Sequence, residues 1–261
     1  MIGMIVRLCI LLAALGILSC LRVDPSPLDS SKDVLPLIAP VLLSQRTTRA
    51  LIQIRFPNGS LSGTGRIPVT LNPSATPPTL ATGKDGDVSG AGSFNGSNWY
   101  DTAIPAGLPL GNSPRTMCVW MNPTSYPGAG ANRLLFHYGP YTTANAFSLG
   151  VHNTAGTQEL VVFGSGYDAF QAYPYPLATW SHFCATYDSS ILRLYLNANF
   201  VGSPAFVGTG PLNTKQAGVV ELATWGWGQN WVGLIDEAVI YDWALSPEEI
   251  QQVYQTGDVP L

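Results

Sequence analysis

The C-terminal third of the chain, from Trp180 to Tyr254, most narrows what it can fold into. It runs W-S-H-F-C-A-T-Y-D, then L-R-L-Y-L-N, then G-L-I-D-E-A-V-I-Y-D-W-A-L-S-P-E-E-I-Q-Q-V-Y. Residues 182–187 and 191–196 are β-rich runs separated by Asp188-Ser189-Ser190, which predicts a hairpin. In the second run Leu192, Leu194 and Leu196 share one face, and Arg193 and Tyr195 share the other. Residues 235–241 form a third alternating run. Ser246-Pro247-Glu248-Glu249 then supplies an N-cap, a proline at the first helical position and a capping-box glutamate. Ile250, Val253 and Tyr254 give that short helix an apolar stripe, and Gly257 stops it.

Upstream, residues 116–121, 133–138, 146–152 and 159–163 read as successive antiparallel strands. Residues 48–56 read as an earlier strand, and 72–78, rich in proline, as a connector. Only 11% of residues are charged, while Gly numbers 27 and Pro 21. Such a composition suits many turns between short strands, hence an all-β sandwich rather than helices. Basic residues number 12 against 16 acidic ones, and loss of Arg7 with a cleaved leader would tip the balance further. With no basic stripe to neutralise phosphates, nucleic acid is excluded as a partner, and anionic glycans are disfavoured for the same reason.

These words, in this order, resemble laminin-G-like and pentraxin-like jelly rolls of the concanavalin A-like lectin/glucanase superfamily. G-K-D-G-D-V-S-G-A-G-S-F-N-G-S-N-W-Y at 83–100 is similar to that family's opening, and T-M-C-V-W-M-N-P at 116–123 to its next strand. The resemblance covers 79–257 and implies an antiparallel two-sheet jelly-roll sandwich with one short C-terminal helix. It leaves function open, because the fold hosts many.

The N-terminus reads as a leader. Arg7 precedes a short apolar stretch, 8–18, followed by Ile17-Leu18-Ser19-Cys20. This end resembles a bacterial lipobox, which makes 1–19 a lipoprotein signal and Cys20 the acylated residue. An ordinary signal peptide or an N-terminal anchor is the alternative. Residues 20–45 then read as a tether, and 46–78 as a first strand and connector. With Cys9 lost and Cys20 acylated, Cys118 and Cys184 remain in an exported chain. Pentraxins join the equivalent two strands by a disulfide, and the resemblance implies the same pairing here. Two buried thiols are the other reading.

Chemistry is sparse in the sequence. The E-x-D-x-E words of the glucanases that share the fold are missing, as is a G-x-S-x-G elbow. His137, His152 and His182 lack metal-ligand spacing, and Glu159 and Glu221 look isolated. Asp236 and Glu237 should point to opposite faces of their strand. We therefore expect no enzyme. Many concanavalin A-like domains hold a structural calcium, and the resemblance implies Asp236 as a ligand, with Asp85 and Asp87 as loop carboxylates. Hydrogen bonding is the alternative role for Asp236. The best binding candidates are aromatic. Trp225, Trp227 and Trp231 alternate with glycines beside Gln229 and Asn230, and Tyr167, Tyr173 and Tyr175 form a second group. Their ring faces can stack on sugars, or else fill the interior.

The expectation is a lipid-anchored exported bacterial protein of the cell envelope, at the outer membrane or cell surface. It would touch the membrane through its N-terminal lipid and bind a glycan or glycoprotein without catalysis, in the manner of an adhesin. A structural or protein-interaction module of the envelope is the first alternative, and a diverged glycan hydrolase the second.

Overall fold

The computed structural model describes residues 48–259, apart from Thr209 and Trp227. The leader, the tether and Cys20 lie outside the described residues. In chain order the strands are β1 (Ile52–Ile54), β2 (Ser62–Gly63), β3 (Val69–Thr70), β4 (Asn72–Pro73), β5 (Thr79–Ala81), β6 (Ala91–Asn95), β7 (Tyr100–Ala103), β8 (Arg115–Pro123), β9 (Asn132–Gly139), β10 (Phe147–Thr154), β11 (Thr157–Phe163), β12 (Asp168–Ala172), β13 (Ser181–Tyr187), β14 (Leu192–Leu196), β15 (Asn199–Gly202), β16 (Val219–Leu222) and β17 (Val232–Tyr241). Helix α1 (Pro247–Thr256) follows.

Two antiparallel sheets form the jelly-roll sandwich. The eight-stranded sheet runs β15-β14-β13-β8-β17-β6-β5, with β1 also paired to β17. The seven-stranded sheet runs β12-β11-β10-β9-β16-β7-β4. Residues 72–73, expected in a connector, are instead a two-residue edge strand on β7. Pro73 is tolerated there because an edge needs no second ladder of donors.

Alternation explains the core. Met117, Val119 and Met121 of β8 and Leu192, Leu194 and Leu196 of β14 point inward. They meet Phe136, Tyr138, Leu149, Val162, Val220 and Leu222 of the facing sheet. At one end of the interior the buried Arg115 guanidinium donates to Tyr138 Oη at 2.7 Å, Thr214 Oγ1 at 2.8 Å and the Gly111 carbonyl at 2.9 Å. Those neutral acceptors satisfy a charge that burial alone would penalise by several kcal/mol.

The outer face of the eight-stranded sheet is covered by α1. Ser246 accepts from the Glu249 amide, the Glu249 side chain accepts from the Ser246 amide, and Gly257 closes the helix at φ 77°. The capping box therefore forms as the sequence predicts. Ile250 and Val253 pack onto Tyr195, Val239, Tyr241 and a disulfide between Cys118 and Cys184. The two cysteines stand directly opposite each other on β8 and β13, with Cα atoms 4.1 Å apart.

One element breaks the alternation. Asp236 opposes Trp120 and Val239 opposes Cys118, so β17 carries a bulge, and Glu237 within it has φ 43°. The bulge lies where the neighbour of β17 changes from β6 to β1. Glu237 is the extra residue. Contrary to the alternating expectation, it and Asp236 both meet Lys84: Asp236 Oδ2 accepts the Lys84 amide at 3.1 Å, and Glu237 lies 3.4 Å from its ammonium.

Candidate functional site

The outer face of the seven-stranded sheet is covered by a loop instead of a helix. Cross-strand register places Asp101 (β7), Glu221 (β16), His137 (β9), Ser148 (β10), Phe163 (β11) and Asp168 (β12) in one row. Their strand neighbours Val220, Leu222, Phe136, Tyr138 and Leu149 are in the core, so the row faces outward. Two connections fold over it, 223–230 between β16 and β17 and 140–146 between β9 and β10. Trp225 packs on Leu134, Val161 and Phe163 and stacks on Tyr141 with ring centroids 5.8 Å apart.

A cleft lies on either side of this aromatic cap. The smaller, about 180 Å³, is lined by Asn132, Phe163, Ser165, Gly166, Asp168, Trp225 and Gln229. The larger, about 460 Å³, has Trp99 and Tyr141 as aromatic walls and Asp101, Glu221, Thr224 and Asn230 as polar ones. Consecutive residues thus serve different clefts, Gln229 one and Asn230 the other.

The polar groups are tied down. His137 Nε2 lies 2.9 Å from the Gly139 carbonyl, which can only accept, so that nitrogen carries the proton. Nδ1 then accepts from Ser148 Oγ at 2.7 Å. Burial lowers the His137 pKa to about 4, so the ring is neutral at pH 7 and both nitrogens are engaged. Glu221 is only 6% exposed and accepts a hydrogen bond from the Tyr141 hydroxyl. Burial pushes its carboxyl up to about 7, and the nearby Asp101 charge adds to the rise. Asn230 accepts from Thr224 Oγ1 and donates to the Gly96 carbonyl at 2.9 Å, so it fastens the loop as well as lining the cleft. Gln229 holds the loop through its carbonyl, which accepts the Leu134 amide at 2.9 Å.

Several expected positions are corrected. Trp231 is 0% exposed and belongs to the main core. Its amide donates to the Ala223 carbonyl at 2.9 Å, closing the root of the loop, so it stands past the tip and points inward. Tyr175 is 2% exposed, with its hydroxyl donating to Gln158, and is also core. Tyr173 is half-buried against the core, and Tyr167 stacks on Phe206 at 4.9 Å. Trp225 is 5% exposed, a floor to the smaller cleft rather than an open platform. Trp227 lies outside the described residues. Sequence reasoning missed Trp99, Asp101 and Tyr141 and set Glu221 aside as isolated. The one local signal was Glu221 itself, an acid within the apolar run V-V-E-L.

The acidic residues of the eight-stranded sheet form a separate group. Asp87 and Asp236 flank Gly83: a Cβ there would sit 2.4 Å from Asp87 Oδ1 and 3.0 Å from Asp236 Oδ2. Only glycine lets both carboxylates come so close. Burial pushes the Asp236 carboxyl up to about 6, and the charges of Glu237 and Asp87 contribute. Asp87 and Asp236 thus bring two carboxylates together, and the two Asp236 oxygens accept the Lys84 amide at 3.1 Å and the Glu237 amide at 2.8 Å. Asp85 does not join them; it pairs with the Lys84 ammonium at 2.6 Å. Among the described residues, the set of three or more metal-ligating side chains whose atoms converge within 4.8 Å is Cys118, His182 and Cys184. Its sulfurs are bonded to each other, and His182 packs against Trp120 and Tyr254, which stack on each other.

Comparison with known proteins agrees with this architecture. None of the curated proteins matches the chain. Among solved structures it is similar to domain 4 of AbnA, a GH43 extracellular arabinanase from Geobacillus stearothermophilus, determined in complex with arabinotriose. That match has a TM-score of 0.63 and 21% identity over 80% of this chain and 100% of that one. The botulinum neurotoxin serotype D binding domain matches with a TM-score of 0.62 and 12% identity, over 81% of this chain and 52% of that one. The binding domain of Paraclostridial Mosquitocidal Protein 1 matches with a TM-score of 0.55 and 13% identity, over 72% and 48%. The chain therefore spans about half the length of the two toxin domains. At these identities the likeness shows a shared fold. The sequence profile of the Laminin_G_3 family covers residues 94–251, more than half of the chain, and the protein belongs to that family of the concanavalin A-like lectin/glucanases superfamily.

Proposed function

We propose that this protein is a non-catalytic glycan-binding module held at the cell envelope by a lipid on Cys20. The observation that carries the binding reading is the larger cleft. Trp99 and Tyr141 offer ring faces, and Asp101, Glu221 and Thr224 offer hydrogen-bonding groups, the usual pairing for a polyhydroxylated ring. The arabinotriose bound to a structural neighbour supports the same reading. A glycan array probed with the full chain, followed by calorimetry on the best ligand, tests it. An array without a single hit overturns it.

A second reading, glycan hydrolysis, is favoured by one observation: two carboxyls, Asp101 and Glu221, face each other in the cleft. Glu221 is buried and held by Tyr141, which suits a fixed wall better than an acid reaching a glycosidic oxygen. Release of new reducing ends from a bound oligosaccharide would decide for hydrolysis. We further propose that Asp87 and Asp236 hold a structural calcium, which would offset the mutual repulsion of the acids around β17.

A further inference from the structure

The charge of the side chains lining the clefts says which sugars they would accept. The wall of the larger cleft carries two carboxyls, Asp101 and Glu221, and among the described residues no Lys, Arg or His. The smaller cleft carries Asp168 and likewise no cationic side chain. The side chains facing Glu221 are Asp101 from β7, Tyr141 from the 140–146 loop and His137 from β9. His137 is neutral and spends both ring nitrogens on Ser148 and Gly139. A ligand carboxylate would therefore meet the Asp101 charge, joined by that of Glu221 as pH rises through about 7, with no counter-ion lining the cleft. Hydroxyls, in contrast, can donate to Asp101 and stack their ring on Trp99.

We propose that the larger cleft admits sugar units without acidic groups and rejects uronic and sialic acids. The ligand class is then an oligosaccharide free of acidic sugars. This rests on the glycan-binding reading above.

The test uses the full chain on a printed array of oligosaccharides and their uronate- and sialate-bearing counterparts. Binding confined to the non-acidic members is the expected result. Equal binding of both sets overturns the charge rule alone, and an array without any hit overturns it together with the glycan-binding reading. Glu221→Gln keeps an acceptor for Tyr141, and Asp101→Asn is a near-isostere. In the double variant the ratio of acidic to non-acidic signal should rise at least about fivefold, the effect of removing close like charges. An unchanged ratio counts against the proposal. If the double variant fails to fold, Asp101→Asn alone, on the more exposed member of the pair, gives the same reading. Lowering the pH from 8 to 5.5 should also raise the ratio in the unmodified chain but not in Glu221→Gln.

Discussion

Asp101 and Glu221 stand directly opposite each other on β7 and β16, 120 positions apart in sequence, yet their surroundings differ. Asp101 is half-exposed, whereas Glu221 is buried beneath Tyr141. One carboxyl is therefore solvated and the other held near neutrality.

That contrast gives a pH prediction. Burial pushes the Glu221 carboxyl up to about 7 in the folded state, against 4.5 in the unfolded chain. The folded state then binds more protons than the unfolded chain between these values. Its contribution is fully present below 4.5 and is lost as pH rises through 7. His137 and His182, lowered to about 4 and about 3 by burial, act in the opposite sense below 6.5. The clean measurement is thus a difference. Glu221→Gln should gain stability relative to the unmodified chain as pH rises from 5 to 8, in urea titrations at each pH. A constant difference across that range would show that Glu221 is not held protonated.

The disulfide should carry much of the fold's stability. It joins residues 66 apart, and closing such a loop is worth about 4 kcal/mol in the chain-entropy model. It also lies fully buried beneath α1. The Cys118→Ala, Cys184→Ala double variant should unfold at markedly lower urea concentration. Two alkylatable thiols in protein taken from its native envelope would refute the bridge.

Calcium binding predicts a melting shift. Added calcium should raise Tm, chelation should lower it, and Asp236→Asn should remove the dependence. The same Tm with calcium and with chelator would leave Asp236 as an acceptor of the Lys84 and Glu237 amides and nothing more.

Which of these features the sequence disclosed follows from how local each one is. The hairpin of β13 and β14 and the capping box of α1 are written in adjacent residues, and both formed as read. The disulfide came from resemblance and matched, because strand order carries over with the fold. The site did not disclose itself. Asp101, Glu221, His137 and Phe163 meet only through register across several strands, which no local pattern encodes. Trp225 and Trp231 stand in the same tryptophan-glycine segment, but the hydrogen bond that the Trp231 amide donates to the Ala223 carbonyl closes the loop before the second ring, which lies in the core. Strict alternation failed at Asp236 and Glu237 because a bulge inserts one residue there.

Lipid attachment predicts that Cys20→Ala abolishes fatty-acid labelling and membrane retention. The motive is the short apolar leader ending in I-L-S-C. A variant that still partitions fully into detergent would dismiss the anchor.

The last prediction separates the tryptophans. Trp231 fills the interior, and its Nε1 donates to the Leu234 carbonyl at 3.3 Å. Trp231→Ala should therefore cost about 3–5 kcal/mol of stability, as deletions of large buried aromatics do. Loss of binding in that variant would report unfolding, so it cannot test the site. Trp99 is half-buried and lines the larger cleft, so its ring is partly free to stack. Trp99→Ala should weaken glycan binding by roughly 1 kcal/mol or somewhat more, several-fold to tenfold, while Tm shifts little. Calorimetric titration alongside thermal melts of both variants reads the two effects separately. Should Trp99→Ala bind as well as the unmodified chain, the ligand does not use the larger cleft. Asn132→Ala and Gln229→Ala in the smaller cleft would then be the variants to measure, because both line it and neither is a buried aromatic.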